Sequence, residues 1–528
     1  FAKQDNPVDY QKFVDENTER HVENSLEGSH NDIAKILYEN YSDEFICGSI
    51  ISKEWYQFKS HRWREVEEGV YLRSKISADM IQHFITLRNQ FMEKQAADTK
   101  IAEDKMWEEK RKQASRMINN LKSAPYKNNV MKEAQEVFYD EKFAKKLDSN
   151  RYLIGFNNGV YDLKKNIFRD GIPEDYISMK MNVDYDVSLT ENDPSVQDVH
   201  DFLEQIFPDT TVRNYFLDVS SDVFIGGNQR KLVMVWSGEG DNGKSVTQHI
   251  FEKMLGDYAI KLPTSLITGK RTQASQACPE LARAGNGVRW AVLQEPDSKD
   301  TINTGILKEL SGNDTFYARK LHKDGKEITP MFKLVLICNE PPKLPYNDKA
   351  TWNRIRVIPF ESTFCDNPPE EYEEQLRQKK FKKDPFFDIK VPKLIKAFAW
   401  VLLNYRKNFK RSAEPDKVKL ATANYRKQND IYRQFVEECI VEEKEASITL
   451  VELYGHFKEW FKESFPSRFG SLPNKNEIKD YFSKLWGDPE NLKWDNYKIK
   501  TLRDDIKNGD AIIFEEKDLI NYDGKPPL

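Results

Sequence analysis

The sequence predicts a multidomain α/β protein with a helical N-terminal region, a central and mostly parallel sheet, and a small C-terminal domain. Three observations predict it. Residues 1–150 are charged and helically periodic. Residues 226–365 alternate apolar runs of strand length with helical runs, the pattern of a parallel sheet with helices on its faces. Residues 425–528 carry helical runs broken by Pro, Gly and Asn turns.

At 528 residues the chain is long enough for three or four domains, at about 100–200 residues each. Its net charge of −5 means that any contact with a polyanion must come from local basic patches rather than bulk attraction. The five cysteines, Cys47, Cys278, Cys338, Cys365 and Cys439, are scattered and odd in number, with no metal-ligand spacing. They predict a reduced, intracellular protein. The apolar stretch at 397–405 is far shorter than the roughly 20 residues a membrane helix needs. No signal peptide is visible. The chain starts at Phe1 rather than Met, so a longer protein is expected.

In order along the chain, WYQFKSHRWREV at 55–66 alternates aromatic and polar residues, as a short hairpin does. Trp55, Tyr56 and Trp63 are read as its packing core rather than as base-stacking platforms. Ile76, Met80, Ile81, Phe84, Ile85 and Leu87 recur mostly on one helical face. Residues 151–225 open with strands and turns and return to helical spacing from 196; Asp184 and Asp186 within them are read as structural.

KLVMVWS at 231–237 is an apolar strand followed at once by GEGDNGKS at 238–245, the phosphate-loop pattern, and then by a helical run from Val246. Gly238, Glu239, Gly240, Asp241, Asn242, Gly243, Lys244, Ser245 and Val246 form the expected nucleotide cradle. Its glycines let backbone N–H groups face phosphate oxygens, and the helix N-terminus adds positive potential. Lys244 can reach the β- and γ-phosphates of ATP, and the Ser245 hydroxyl can ligate Mg²⁺.

RWAVLQEPD at 289–297 is a second strand, ending at Glu295, which can polarise the attacking water or help hold Mg²⁺. Asp297 suits a surface or helix-capping role. FKLVLICNEPP at 332–342 is a third strand, ending at Asn339, whose amide can orient that water. No Asn-Lys-x-Asp base-reading motif of a GTPase occurs. WNRIRVIPF at 352–360 places Arg354 and Arg356 on one strand face, fifteen and seventeen residues after Asn339, a placement that fits an arginine finger. Arg377–Lys383 is read as a solvated helix face. Asp324-Gly325 predicts a two-residue hairpin turn, with Lys320, His322, Lys323 and Lys326 around its tip.

The order GEGDNGKS, VLQEP, LSGNDTFYARKLH, KLVLICNEPP and RIRVIPF resembles that of superfamily 3 helicases, above all the helicase portion of the primase–helicases of nucleocytoplasmic large DNA viruses. FNNGVYDLKK upstream and SITLVELYGHFKEWFKE downstream resemble the flanking domains of that family. The resemblance implies an AAA+-like ATPase core at 226–365 and a collar-type domain at 151–225. It also implies a helical extension at 366–424 and a winged-helix-like domain at 425–528. It further implies ATP and Mg²⁺, a homo-hexameric ring moving on single-stranded DNA, replication-fork partners, an upstream primase domain, and work at a viral replication site. The lysine hairpin then becomes a channel element meeting DNA phosphates. Gln294 departs from the family, where many members carry a second acid, and no primase core is evident. A DNA-binding assembly protein with a decayed ATPase, or a small-molecule kinase, are the alternative readings.

Overall fold

In the computed structural model of the chain, the central apolar runs become one five-stranded parallel sheet. The structure describes residues 17, 18, 20–97, 101–268, 279–285, 287–297, 300–319, 325–345, 348–408, 411–465 and 472–500. In chain order the strands are β1 (Val233–Ser237), β2 (Ala259–Lys261), β3 (Trp290–Gln294), β4 (Lys333–Ile337) and β5 (Ile355–Pro359). In space they run β5-β1-β4-β3-β2. All five residues of β4 are buried, because a parallel strand in mid-sheet is covered on both faces.

The covering helices are α1 (Pro194–Ile206), α2 (Thr210–Ser221), α3 (Lys244–Leu255), α4 (Thr304–Ser311) and α5 (Phe387–Lys407). Asp193 and Asp209 cap α1 and α2 with their carboxylates. Helix α5 packs on α1, α2 and α3, and Phe398 joins Phe216, Trp236, Phe251, Trp290 and Phe360 in one core. Phe251 and Trp290 stack at 4.4 Å with planes 4° apart. That offset aromatic contact locks α3 onto β3.

The N-terminal region is helical around a small antiparallel sheet, Phe45–Ser49, Glu54–Lys59 and Arg62–Val66. Trp55 and Trp63 are fully buried, so both are packing residues and unavailable for stacking on a base. A second antiparallel sheet, Leu153–Phe156, Gly159–Asp162 and Ile167–Arg169, follows. Arg289, at the entry of β3 and buried, donates to the carbonyls of Asn150 and Leu153 and ties that sheet to the core. Asp186 pairs with Lys396 and accepts from Ser188.

The described residues within 343–349 and 423–500 make a separate compact unit. Within it Ile431–Cys439, Leu450–Ser464 and Lys475–Trp486 are helices, and Ile440–Thr449 pairs antiparallel with Lys493–Ile499. No helix among the described residues is long and apolar enough to cross a membrane.

Two local expectations are corrected. Phe316–Arg319 and Gly325–Ile328 do form a hairpin, but Gly325 pairs with Arg319 inside the ladder. Gly325 is therefore a strand residue rather than the second residue of a two-residue turn, and residues 320–324 lie outside the described residues. The basic run is not one helix face: the helix Tyr372–Gln378 stops at Lys379 in the left-handed region, and Lys380–Lys382 is a strand beside Thr363–Cys365. Asp297 is exposed, in keeping with its surface reading, and the cap of α4 is Asn303, which accepts from the Ile306 N–H.

Candidate functional site

The site forms where β1, β4 and β3 end side by side. Ile337 of β4 is level with Trp236 of β1 and with Gln294 of β3. The phosphate loop, Asn339 and Glu295 thus leave the sheet at one edge, the carboxyl ends of parallel strands where ligands bind in such folds. Because β4 lies between the other two, Asn339 stands between loop and acid, and Glu295 is two strands, about 10 Å, from β1.

The loop closes on itself through residues that sequence spacing singles out only in part. Gly238 has φ +152°, and a Cβ there would lie 2.4 Å from both the Asn242 amide nitrogen and the Phe360 carbonyl oxygen. Gly243 has φ +82° and starts α3; a Cβ on it would lie 2.2 Å from Ile206 Cδ1. Both positions therefore require glycine. Buried Asn242 donates to the Phe360 carbonyl at 3.4 Å, and the Phe364 N–H donates to the Asp241 carbonyl at 2.7 Å. Ile206, Phe360, Phe364 and Lys383, whose ammonium pairs with Asp241 at 3.0 Å, are loop supports the sequence does not reveal, since they lie far from it along the chain.

Lys244 is buried at 6% exposure, and among the described residues its ammonium donates only to neutral oxygens. These are the carbonyls of Gly238 (2.6 Å) and Glu239 (3.1 Å) and the amide oxygens of Asn242 (3.0 Å) and Asn339 (3.2 Å). Burial holds this ammonium below the ordinary lysine value, opposed by Cys338 and Glu295. A buried cation ringed by neutral acceptors is an incomplete electrostatic arrangement, one that an anionic group such as a phosphate would complete. Cys338, buried beside it, has its thiol pushed up to about 12 by burial and stays protonated.

Ser245 is exposed on the first turn of α3, and Val246 is half-buried behind it. Glu295 is exposed, anchored by its own N–H to the Ile337 carbonyl at 2.8 Å, and held at φ +52°. That left-handed conformation is uncommon for a residue with a Cβ and turns the carboxylate off the end of β3. Among the described residues no group of three His, Cys, Asp or Glu side chains could hold a metal alone. Ser245 and Glu295 fit Mg²⁺ as few-ligand partners of a metal held chiefly by phosphates and water.

The arginines separate. Arg354 lies in the turn before β5 rather than within it, its carbonyl accepting from the Val233 N–H and its guanidinium donating to the Ala350 carbonyl at 2.6 Å. It sits at the entry of the sheet, one strand length, about 17 Å, from the phosphate-loop edge. Among the described residues no carboxylate pairs with it. Arg356, inside β5, is held by Glu414 at 2.7 Å. Lys320, His322 and Lys323 lie outside the described residues, and Lys326 belongs to the second hairpin strand.

Residues 34–208 match the family described as D5 N terminal like. A protein of Acanthamoeba polyphaga mimivirus with a provisional helicase name is 34% identical over 91% of this chain and 50% of its own length. A helicase-named protein of Frog virus 3 (isolate Goorha) is 32% identical over 88% of this chain and 58% of its own. A primase-named protein of African swine fever virus is 24% identical over 89% of this chain and 51% of its own. The chain thus spans about half the length of the curated relatives it matches. Among solved structures, the apo C-terminal region of NrS-1 aligns at 13% identity over 64% of this chain and 80% of that one, with a TM-score of 0.33. The chain is a homologue of the helicase-named and primase-named proteins of large DNA viruses, and it resembles the helicase portion of their primase–helicases.

Proposed function

We propose that the chain is an ATP-hydrolysing DNA helicase of superfamily 3 that moves on single-stranded DNA as a homo-hexameric ring during viral genome replication. In this reading it works inside the host cell with an upstream primase domain and other fork proteins. The carrying observation is Lys244, a buried ammonium with neutral partners only among the described residues, at the same sheet edge as Asn339 and Glu295.

Lys244 exchanges its carbonyl partners for the β- and γ-phosphate oxygens of ATP and neutralises charge there. Ser245 and Glu295 are the residues that would hold Mg²⁺, which would supply Lewis-acid stabilisation of phosphate charge. Glu295 accepts a hydrogen bond from the attacking water, and Asn339, next to Lys244, aligns it. Arg354, too far from its own phosphate loop, is free to serve the loop of a neighbouring subunit, which supports a ring. Arg356, held by Glu414, is the supporting residue of β5. Lys320, His322, Lys323 and Lys326 carry the backbone grip on DNA. The helix–strand–helix–helix–strand order of residues 431–499 supports the winged-helix reading of the C-terminal unit.

Unwinding of a forked duplex with a single-stranded tail tests the reading. Strand separation that requires ATP and vanishes in Lys244→Ala is expected. ATP hydrolysis without any strand separation, on tails of either polarity, would overturn the helicase assignment.

A further inference from the structure

At the end of the sheet opposite the phosphate loop lies a cavity of about 230 Å³, lined among others by Asp222, Gly227, Arg230, Lys333, Arg406 and Arg411. Lys333 is the first residue of β4, and Arg230 lies just ahead of β1. Four cationic side chains meet there. Asp218 and Asp222 answer two of them: Arg230 bonds Asp218 at 3.0 Å and Asp222 at 2.8 Å, and Arg406 bonds Asp222 at 2.7 Å.

Among the described residues no carboxylate contacts Lys333. Its buried ammonium donates to the carbonyls of Gly227, at 2.7 Å, and Ile225. Arg411 is exposed and pairs with no carboxylate among the described residues. Burial pushes the Lys333 ammonium down to about 7; Asp222 opposes this, while Arg289, Arg406 and Arg230 add to it. A half-enclosed space with guanidinium donors, one of them, Arg411, uncompensated, and with a Lys333 ammonium that a bound anion would keep protonated, is a phosphate-shaped environment, since guanidinium groups meet phosphate oxygens in pairs. A cavity of this size holds a phosphate group together with ordered water.

We propose that this cavity is a second anion site, distinct from the phosphate loop, that takes a small phosphate-bearing anion. The shared chemistry is the phosphate group; its source is either a free anion, such as inorganic phosphate or pyrophosphate, or the phosphate tail of a nucleotide. The proposal stands on the side chains around the cavity and does not rest on the helicase reading.

The test is calorimetric titration of the full chain carrying Lys244→Ala, which disables the phosphate loop, with phosphate, pyrophosphate and a non-hydrolysable ATP analogue in turn. Saturable binding of at least one is expected, weakened about tenfold or more when Arg411→Ala is added, as loss of a charge-assisted hydrogen bond implies. Arg411 is exposed, so this substitution leaves the fold intact, and an unchanged melting temperature verifies that. Arg411→Lys should recover part of the affinity. Arg411-dependent binding of phosphate or pyrophosphate supports the proposal with a free anion as source. Arg411-dependent binding of the analogue alone supports it with a nucleotide as source. No saturable binding, or binding that Arg411→Ala leaves unchanged, overturns it. Arg411-dependent binding of a single-stranded oligonucleotide with none of the small anions also overturns it, because the surface would then serve nucleic acid.

Discussion

The Lys244 ammonium and the Asn339 side-chain oxygen, 95 residues apart in the chain, meet at 3.2 Å. The contact exists because β4 lies directly beside β1, with Ile337 level with Trp236. It joins the residue proposed to meet phosphate to the residue proposed to align water. Asn339→Ala should therefore lower the ATP turnover rate at least tenfold while nucleotide affinity changes by less than about threefold. A fluorescent nucleotide titration alongside steady-state hydrolysis separates the two. A loss of affinity as large as the loss of rate would make Asn339 a binding residue only.

Glu295 combines a proposed catalytic role with an uncommon backbone conformation, φ +52°. The two can be pulled apart. Glu295→Gln keeps the side-chain size and should bind ATP but hydrolyse it very slowly. Glu295→Gly relaxes the left-handed conformation and should raise stability by up to about 1 kcal/mol while also losing turnover. A thermal melt showing Glu295→Gly clearly less stable than wild type would mean that the carboxylate is a structural anchor.

Arg354 and Arg356 should behave differently although they are two residues apart. Arg356→Ala breaks a half-buried pair with Glu414 and should lower stability by about 1 kcal/mol. Arg354→Ala should assemble and bind nucleotide with little change in melting temperature, yet hydrolyse ATP poorly. Mixing Arg354→Ala with Lys244→Ala subunits should restore part of the ATPase, because some interfaces regain an intact loop and an intact finger. Co-assembled mixtures that recover nothing would argue against a shared site.

Asp209 sets a pH dependence at the N-terminus of α2. Its carboxylate accepts from Thr211 Oγ1 at 2.6 Å and from the Thr211 and Val212 N–H groups, and it pairs with Lys417 at 2.9 Å. The Thr211 hydroxyl, then Lys417, hold this carboxyl well below the usual carboxylate range. A group whose folded pKa is depressed stabilises the fold above its unfolded pKa, about 3.9, and that contribution fades as pH falls toward the folded value. Asp209→Ala should cost about 1 kcal/mol at pH 7, and the gap to wild type should narrow below about pH 4. A gap constant from pH 7 to pH 3 in chemical denaturation would refute this.

What the sequence made legible was local. The phosphate loop reads directly, because Gly238, Gly243 and Lys244 follow an apolar strand at fixed spacing and α3 begins at once. Glu295 and Asn339 read as strand ends for the same reason. The strand order does not read: nothing in the spacing says that β4 lies between β1 and β3, since pairing is a long-range choice. The hairpin turn was misjudged because Asp-Gly is a strong turn signal, while the ladder from Phe316 to Ile328 sets the register and draws Gly325 into a strand. The basic run was misjudged because lysines tolerate helix and strand alike, and Phe381, buried at 1%, decides for the strand. Lys383 and Ile206 reach the loop only through tertiary packing, and no short-range pattern marks them.

The most direct test of the central claim is the rate of ATP hydrolysis by the full chain, with and without single-stranded DNA, for wild type and Lys244→Ala in parallel. The site described here predicts Mg²⁺-dependent hydrolysis by wild type, stimulated severalfold or more by single-stranded DNA of any sequence, and none above background in Lys244→Ala. Hydrolysis in Lys244→Ala equal to that of wild type, or wild-type hydrolysis indifferent to DNA, would contradict it.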